Sequence, residues 1–85
     1  MKFYVEYETG AGNFTVETEN LDEVMEKADY EAAYTQRNIV IYSEDKDVWM
    51  RFWSSIPWDE DSGFEYNEII DFGKFGYYTP WEYQF

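Results

Sequence analysis

The sequence predicts an α+β fold in which one helix packs on one face of an antiparallel sheet of four or five strands. One stretch, Asn20 to Tyr34, has apolar residues at helical spacing, and the stretches on either side of it alternate apolar and polar residues as strands do. Aromatic residues make up 24% of the 85-residue chain. They favour strands and bury large areas, so we expect a single domain over residues 1–85 with an aromatic core.

The first two alternating stretches predict a hairpin. Residues Lys2 to Glu8 carry an aromatic or aliphatic side chain at every second position, and Phe14 to Thr18 largely repeat this pattern. The glycine-bearing run Thr9 to Asn13 between them is typical of a hairpin loop. The other face of the predicted hairpin is acidic and carries Glu6, Glu8, Glu17 and Glu19.

The predicted helix starts with a capping signal. Asn20 is a favoured cap residue, and Glu23 lies three positions later, where a capping-box partner belongs. The apolar face consists of Leu21, Val24, Met25, Ala28 and Ala32. The other face carries Asp22, Glu23, Glu26 and Asp29. Like charges at i, i+4 destabilise a helix by a few tenths of a kcal/mol, so helix stability does not account for this row.

Two further strands give the order ββαββ. Ile39 to Tyr42 is the most apolar run and predicts a central strand, and Val48 to Trp53 predicts its neighbour across a polar loop. The aromatic-rich C-terminal segment is predicted to be irregular, because glycine and proline interrupt it. A short strand is expected within Glu68 to Phe72.

The charge is the most unusual property of the composition. Nineteen acidic and six basic residues give a net charge of −13, against a magnitude of about 2–8 for a small domain. Nucleic-acid-binding proteins have the opposite charge, which argues against direct contact with DNA or RNA. Two explanations remain open: the charge serves solubility or a salt-rich habitat, or the surface is built for a basic partner.

The chain contains no cysteine and no histidine. Thiol nucleophiles, Cys/His zinc sites and disulfides are therefore excluded. The acidic run Asp59 to Asp61 resembles the start of a calcium loop, but position 12 of that register is Ile70 instead of glutamate. We expect no metal, no cofactor and no catalytic residue.

The sequence also predicts where the protein acts. It shows no signal peptide and no long apolar run, so we expect a soluble cytoplasmic protein that does not contact membranes, in the host cytoplasm if a phage encodes it.

The acidic side chains are the candidate contacts with a basic partner. Carboxylates spaced along a helix can imitate the regular charge of a nucleic-acid backbone and occupy a channel lined by Arg and Lys. The hairpin end, the helix and the loop at Asp59 supply the candidates: Glu17, Glu19, Asp22, Glu23, Glu26, Asp29, Asp59, Glu60 and Asp61.

Two alternatives use aromatic residues. In the first, Trp49 and Trp53 are exposed beside Arg51 and bind a protein partner, as in an adaptor, while the charge serves only solubility. These rings and those of the C-terminal tail can equally be core. In the second, the protein is a small enzyme or a sugar-binding domain, which a concave aromatic pocket with two facing carboxylates would favour.

Size, charge, the start KFYVEYETGAGNF, the capped acidic helix and the closing FGKFGYY together resemble small acidic proteins of phages and mobile elements. The best-understood members of that class are DNA mimics and anti-CRISPR proteins. They share no common fold, so no residue roles carry over. The resemblance implies a stoichiometric, non-enzymatic inhibitor of a nucleic-acid-processing complex. In an RNA-guided nuclease, its targets would be the basic duplex channel or the arginines that read the PAM.

Overall fold

The computed structural model describes residues 1–8, 13–32 and 36–84 and has the predicted α+β architecture. Its regular elements are β1 (Lys2–Tyr7), β2 (Phe14–Glu17), α1 (Leu21–Ala32), β3 (Ile39–Ser43), β4 (Val48–Arg51), β5 (Trp53–Ser54), β6 (Ile70–Asp71), β7 (Tyr77–Tyr78) and β8 (Glu82–Gln84). In this part of the chain, five strands form an antiparallel sheet in the order β2-β1-β3-β4-β8. Residues 9–12 of the predicted hairpin loop lie outside the described residues.

The helix packs on the sheet face predicted to be apolar. Strand β1 lies between β2 and β3, with Val5 opposite both Phe14 and Ile41. The buried cluster consists of Phe3, Val5, Tyr7, Val24, Ala28, Ala32, Ile39, Ile41 and Tyr78. The Tyr7 hydroxyl donates to the Ala28 carbonyl oxygen at 2.8 Å. Burial raises the pKa of Tyr7, so this hydroxyl remains a hydrogen-bond donor that fixes the helix on β1.

The helix N-terminus is capped by Asn20, but the predicted capping box does not form. The Asn20 side-chain oxygen accepts a hydrogen bond from the Asp22 N–H at 3.0 Å. The Asn20 N–H donates to the Thr18 hydroxyl oxygen, and that hydroxyl donates to the Glu23 carboxylate at 2.9 Å. Thr18 therefore stands between the two partners of the expected box. It links the end of β2 to the first turn of α1.

The strand predicted over Val48 to Trp53 ends at Arg51. The Phe52 N–H donates to the Thr79 hydroxyl oxygen, and the Trp53 N–H donates to the Asn38 side-chain oxygen. These bonds turn the chain, and β5 pairs with β7 in a second sheet of order β5-β7-β6. The C-terminal segment is thus more regular than predicted, since β8 extends the first sheet and β6 is the expected short strand.

Arg51 connects the helix to the C-terminal segment. Its side chain is 6% exposed, and Nη1 contacts Asp29 Oδ1 at 2.7 Å. Nε donates to the Thr79 carbonyl oxygen at 2.8 Å, and Nη2 donates to the Glu68 carbonyl oxygen at 2.6 Å. The guanidinium also lies over the Trp81 ring, 5.6 Å from its centroid. One buried cation thereby holds three segments that are distant in sequence.

The Asp29→Ala substitution should lower the free energy of unfolding by about 2 kcal/mol, because the buried Arg51 guanidinium would lose its carboxylate partner. Urea unfolding followed by tryptophan fluorescence measures this. Glu26→Ala, an exposed position on the same helix, is the control and should change stability by less than about 0.5 kcal/mol. Equal effects of the two substitutions would show that the ion pair does not hold the helix.

Gly76 should tolerate no side chain. Its φ is 131°, and an added Cβ would collide with the Ser54 carbonyl oxygen of the adjacent strand. Gly73 has a φ of 64° with open space around it, so Gly73→Ala should cost only about 1 kcal/mol of backbone strain. Gly76→Ala should lower the urea midpoint by more than Gly73→Ala does. The reverse order would place the close contact elsewhere.

Candidate functional site

The hairpin end and the first turn of the helix form one acidic surface. The Met1 amine lies 2.5 Å from a Glu19 carboxylate oxygen and 3.6 Å from a Glu17 oxygen. The hydrogen bond to Glu19 is the main cause that raises the pKa of this amine. Asp22 and Glu23 follow directly on the exposed first turn of α1, and Thr18 joins Glu23 to the end of β2. The four predicted acids are therefore brought together.

Glu44 joins this surface although the sequence pattern does not single it out. Its carboxylate accepts a hydrogen bond from the Lys2 N–H at 2.6 Å, and its charge acts on the Met1 amine. The register explains its position: Phe3 pairs with Ser43, so the residue after β3 lies beside the start of β1. We call Glu17, Glu19, Asp22, Glu23, Glu26 and Glu44 the acidic end.

Asp29 differs from the other predicted contacts, because its side chain is turned to Arg51 and is 28% exposed. Burial raises the pKa of Asp29, and the Arg51 guanidinium offsets this only in part. The Trp81 indole N–H lies beside the same carboxylate and lowers its pKa further, but it makes no well-aligned hydrogen bond there. Asp29 therefore supports the fold, and reversal of its charge would disturb the helix before it tested binding.

The loop from Asp59 to Asp61 is separate from the acidic end. Glu60–Ser62 form a short 3₁₀ helix, capped by Asp59, whose carboxylate accepts from the Asp61 N–H at 2.8 Å. This segment follows β5, which leaves the first sheet at the Arg51 end of β4. The acidic end lies where β1 begins and β3 finishes, at the opposite end of those strands. The predicted contacts thus form two surfaces.

Neither surface is neutralised by lysine or arginine side chains. Among the described residues, the pair between Arg51 and Asp29 is the one ion pair formed by such a side chain. Lys27 and Lys74 lie over the rings of Phe14 and Phe75, at 5.7 and 5.4 Å from the centroids. Apart from Glu17 and Glu19, which lie beside the Met1 amine, the exposed carboxylates of both surfaces consequently keep their charge available to a partner.

Trp49 and Trp53 are packed against the core. The Trp49 ring lies 6.4 Å from Phe3 and 5.4 Å from Tyr83, and the Trp53 ring lies 5.0 Å from Tyr78. Both rings are thus partly buried, whereas the adaptor alternative expected them to be exposed. The large exposed hydrophobic side chains are Tyr4, Tyr30, Tyr42, Ile56, Phe64, Tyr66, Phe75 and Tyr83.

The described residues offer neither a metal site nor a membrane-spanning helix. No group of three or more acidic side chains there is arranged to hold a metal ion. No helix among the described residues is both long enough and apolar enough to cross a membrane. In comparisons with known proteins, no family model, curated protein or solved structure matches the chain.

We expect the melting temperature to rise as the pH falls from about 7 to about 4.5. Because burial raises the pKa of Asp29 above its ordinary value of 3.8, the folded state takes up this proton before the unfolded chain does. Such a group favours folding as the pH falls through its folded pKa, and the gain is lost as the pH rises through it.

Thermal unfolding followed by circular dichroism measures this pH dependence. In about 0.5 M NaCl the dependence should be retained, because salt screens exposed charges more than it affects the buried pair of Asp29 and Arg51. A melting temperature that falls over the same pH range would contradict this expectation.

Proposed function

We propose that the protein is a non-enzymatic inhibitor whose acidic end binds a basic nucleic-acid-binding surface of a host defence complex. The observation that carries this proposal is the cluster of exposed carboxylates at the acidic end, none of which pairs with a lysine or arginine side chain among the described residues. An RNA-guided nuclease offers a fitting partner, because its duplex channel and PAM-reading arginines are basic. Binding there would exclude DNA by occupying the same cations, as expected of an anti-CRISPR protein or DNA mimic.

Asp22 and Glu26 are the best positions for a test of this proposal. Both are exposed and lie four residues apart on α1, and neither has a side-chain partner among the described contacts. Two other acids of the helix make contacts that support the fold. Glu23 accepts a hydrogen bond from the Thr18 hydroxyl, and Asp29 forms an ion pair with Arg51. Charge changes at Asp22 and Glu26 therefore alter the surface with little effect on the core.

The double substitution Asp22→Lys and Glu26→Lys should abolish inhibition of DNA cleavage in a panel of purified RNA-guided nucleases. The two new cations would repel the basic partner, which costs several kcal/mol at an interface. Glu31→Lys with Glu82→Lys is the matched control, since these exposed positions lie in the last turn of α1 and in β8, outside the acidic end, and change the net charge equally. Inhibition that survives the first pair, or is lost equally with both, would contradict the assignment to the acidic end.

The adaptor alternative predicts a different response to salt. If exposed aromatic rings supply the binding energy, a change from about 0.05 M to about 0.5 M NaCl should alter affinity little, whereas contacts between exposed charges weaken steeply. Trp49 and Trp53 are poorly suited to supply those rings, because both are partly buried against the core. Exposed rings outside the acidic end, such as Tyr30 and Phe75, remain, and their substitution distinguishes the two modes.

A further inference from the structure

A groove beside the Asp59 loop combines aromatic rings with carboxylates. It has a volume of about 450 Å³ and is lined by Trp58, Glu60, Gly63, Phe64, Glu65 and Tyr66. Two short 3₁₀ helices, Glu60–Ser62 and Tyr66–Glu68, form its walls. Gly63, with a φ of 87°, makes the turn that ends the first of these helices. Of the nine predicted contacts, only Glu60 lines this groove.

The rings of the groove are held in place from behind. The Trp58 indole N–H donates to the Phe64 carbonyl oxygen at 3.2 Å, and the Trp58 and Tyr66 rings meet edge to face at 4.9 Å. The Tyr66 hydroxyl donates to Asp71 at 3.0 Å. Nevertheless, Phe64 and Tyr66 remain 38% and 55% exposed. Contacts within the protein therefore hold the rings in position, while parts of the Phe64 and Tyr66 rings remain accessible to a ligand.

The hydrogen-bonding groups of the lining side chains indicate that the groove suits a cation better than a sugar. The two side-chain N–H and O–H donors of the groove, on Trp58 and Tyr66, are already used within the protein. Glu60 and Glu65, when ionised, only accept. A sugar hydroxyl both donates and accepts, whereas a guanidinium only donates and is attracted to aromatic faces. The unused side-chain groups thus complement a donor-rich cation.

We propose that this groove binds an arginine side chain of a basic protein partner, with the guanidinium stacked on the rings and hydrogen-bonded to Glu60 or Glu65. Arginine fits better than lysine, because its planar fork can stack and bind a carboxylate at the same time. This proposal depends on the proposed function only in that the partner is basic. It adds a second contact, remote from the acidic end, that anchors one side chain.

The test is an NMR titration of the ¹⁵N-labelled protein with a blocked Gly-Arg-Gly peptide, in parallel with Gly-Lys-Gly and with cellotetraose. We expect the arginine peptide to shift the Trp58 indole and the amides of residues 58–66, and the lysine peptide to bind more weakly. Trp58→Ala should raise the Kd about fivefold through loss of the cation–π contact. Glu60→Gln with Glu65→Gln should raise it at least about threefold while the shape of the groove is kept.

Glu31→Gln with Glu82→Gln is the matched control, because it removes the same charge at exposed positions outside both the groove and the acidic end. It should alter the Kd by less than about twofold. The proposal is overturned if the two double variants weaken binding equally, if the shifts fall on α1, if lysine binds as tightly as arginine, or if cellotetraose moves the Trp58 indole and the arginine peptide does not. No nuclease is present, so this result is independent of the inhibition assay.

Discussion

The buried Arg51 guanidinium is the interaction on which the rest of the structure depends. It pairs with Asp29 of the helix, donates to the backbone at Glu68 and Thr79, and lies over Trp81. A buried cation must be satisfied on every side, so these partners fix the helix and the C-terminal segment together. The second sheet and β8 are consequently built around the point where β4 ends.

This constraint separates the acids that support the fold from those that do not. Asp29 turns inward to Arg51, and Glu23 accepts from Thr18. Carboxylates in the first turn of a helix are also stabilised by its dipole, which accounts for Asp22. Glu26 has no such role, and its charge opposes ionisation of Asp29. Glu26 is therefore the residue of the helical row that folding explains least and that binding a basic partner would explain.

The helix and the strands β1 to β3 could be predicted, because the spacing of apolar residues within each segment is sufficient to identify it. The end of β4 could not, since Asn38 and Thr79 terminate it from 15 and 27 residues away. For the same reason, periodicity placed Arg51 beside Trp49 on one strand face but did not reveal that Asp29 would pair with it. At the site, the contiguity of Glu17, Glu19 and the helix was predictable from chain order, whereas Glu44 reaches the acidic end only through strand register.

The central claim is that the exposed acidic end binds a protein surface made for nucleic acid. Capture from a bacterial lysate on the immobilised protein, followed by elution with duplex DNA and mass spectrometry, tests it most directly. The account predicts a nucleic-acid-binding protein that is retained at about 0.05 M salt, released by DNA or by about 0.5 M salt, and not retained by the variant with Asp22→Lys and Glu26→Lys. A partner that stays bound in DNA and in high salt, or that binds the variant equally well, would contradict it.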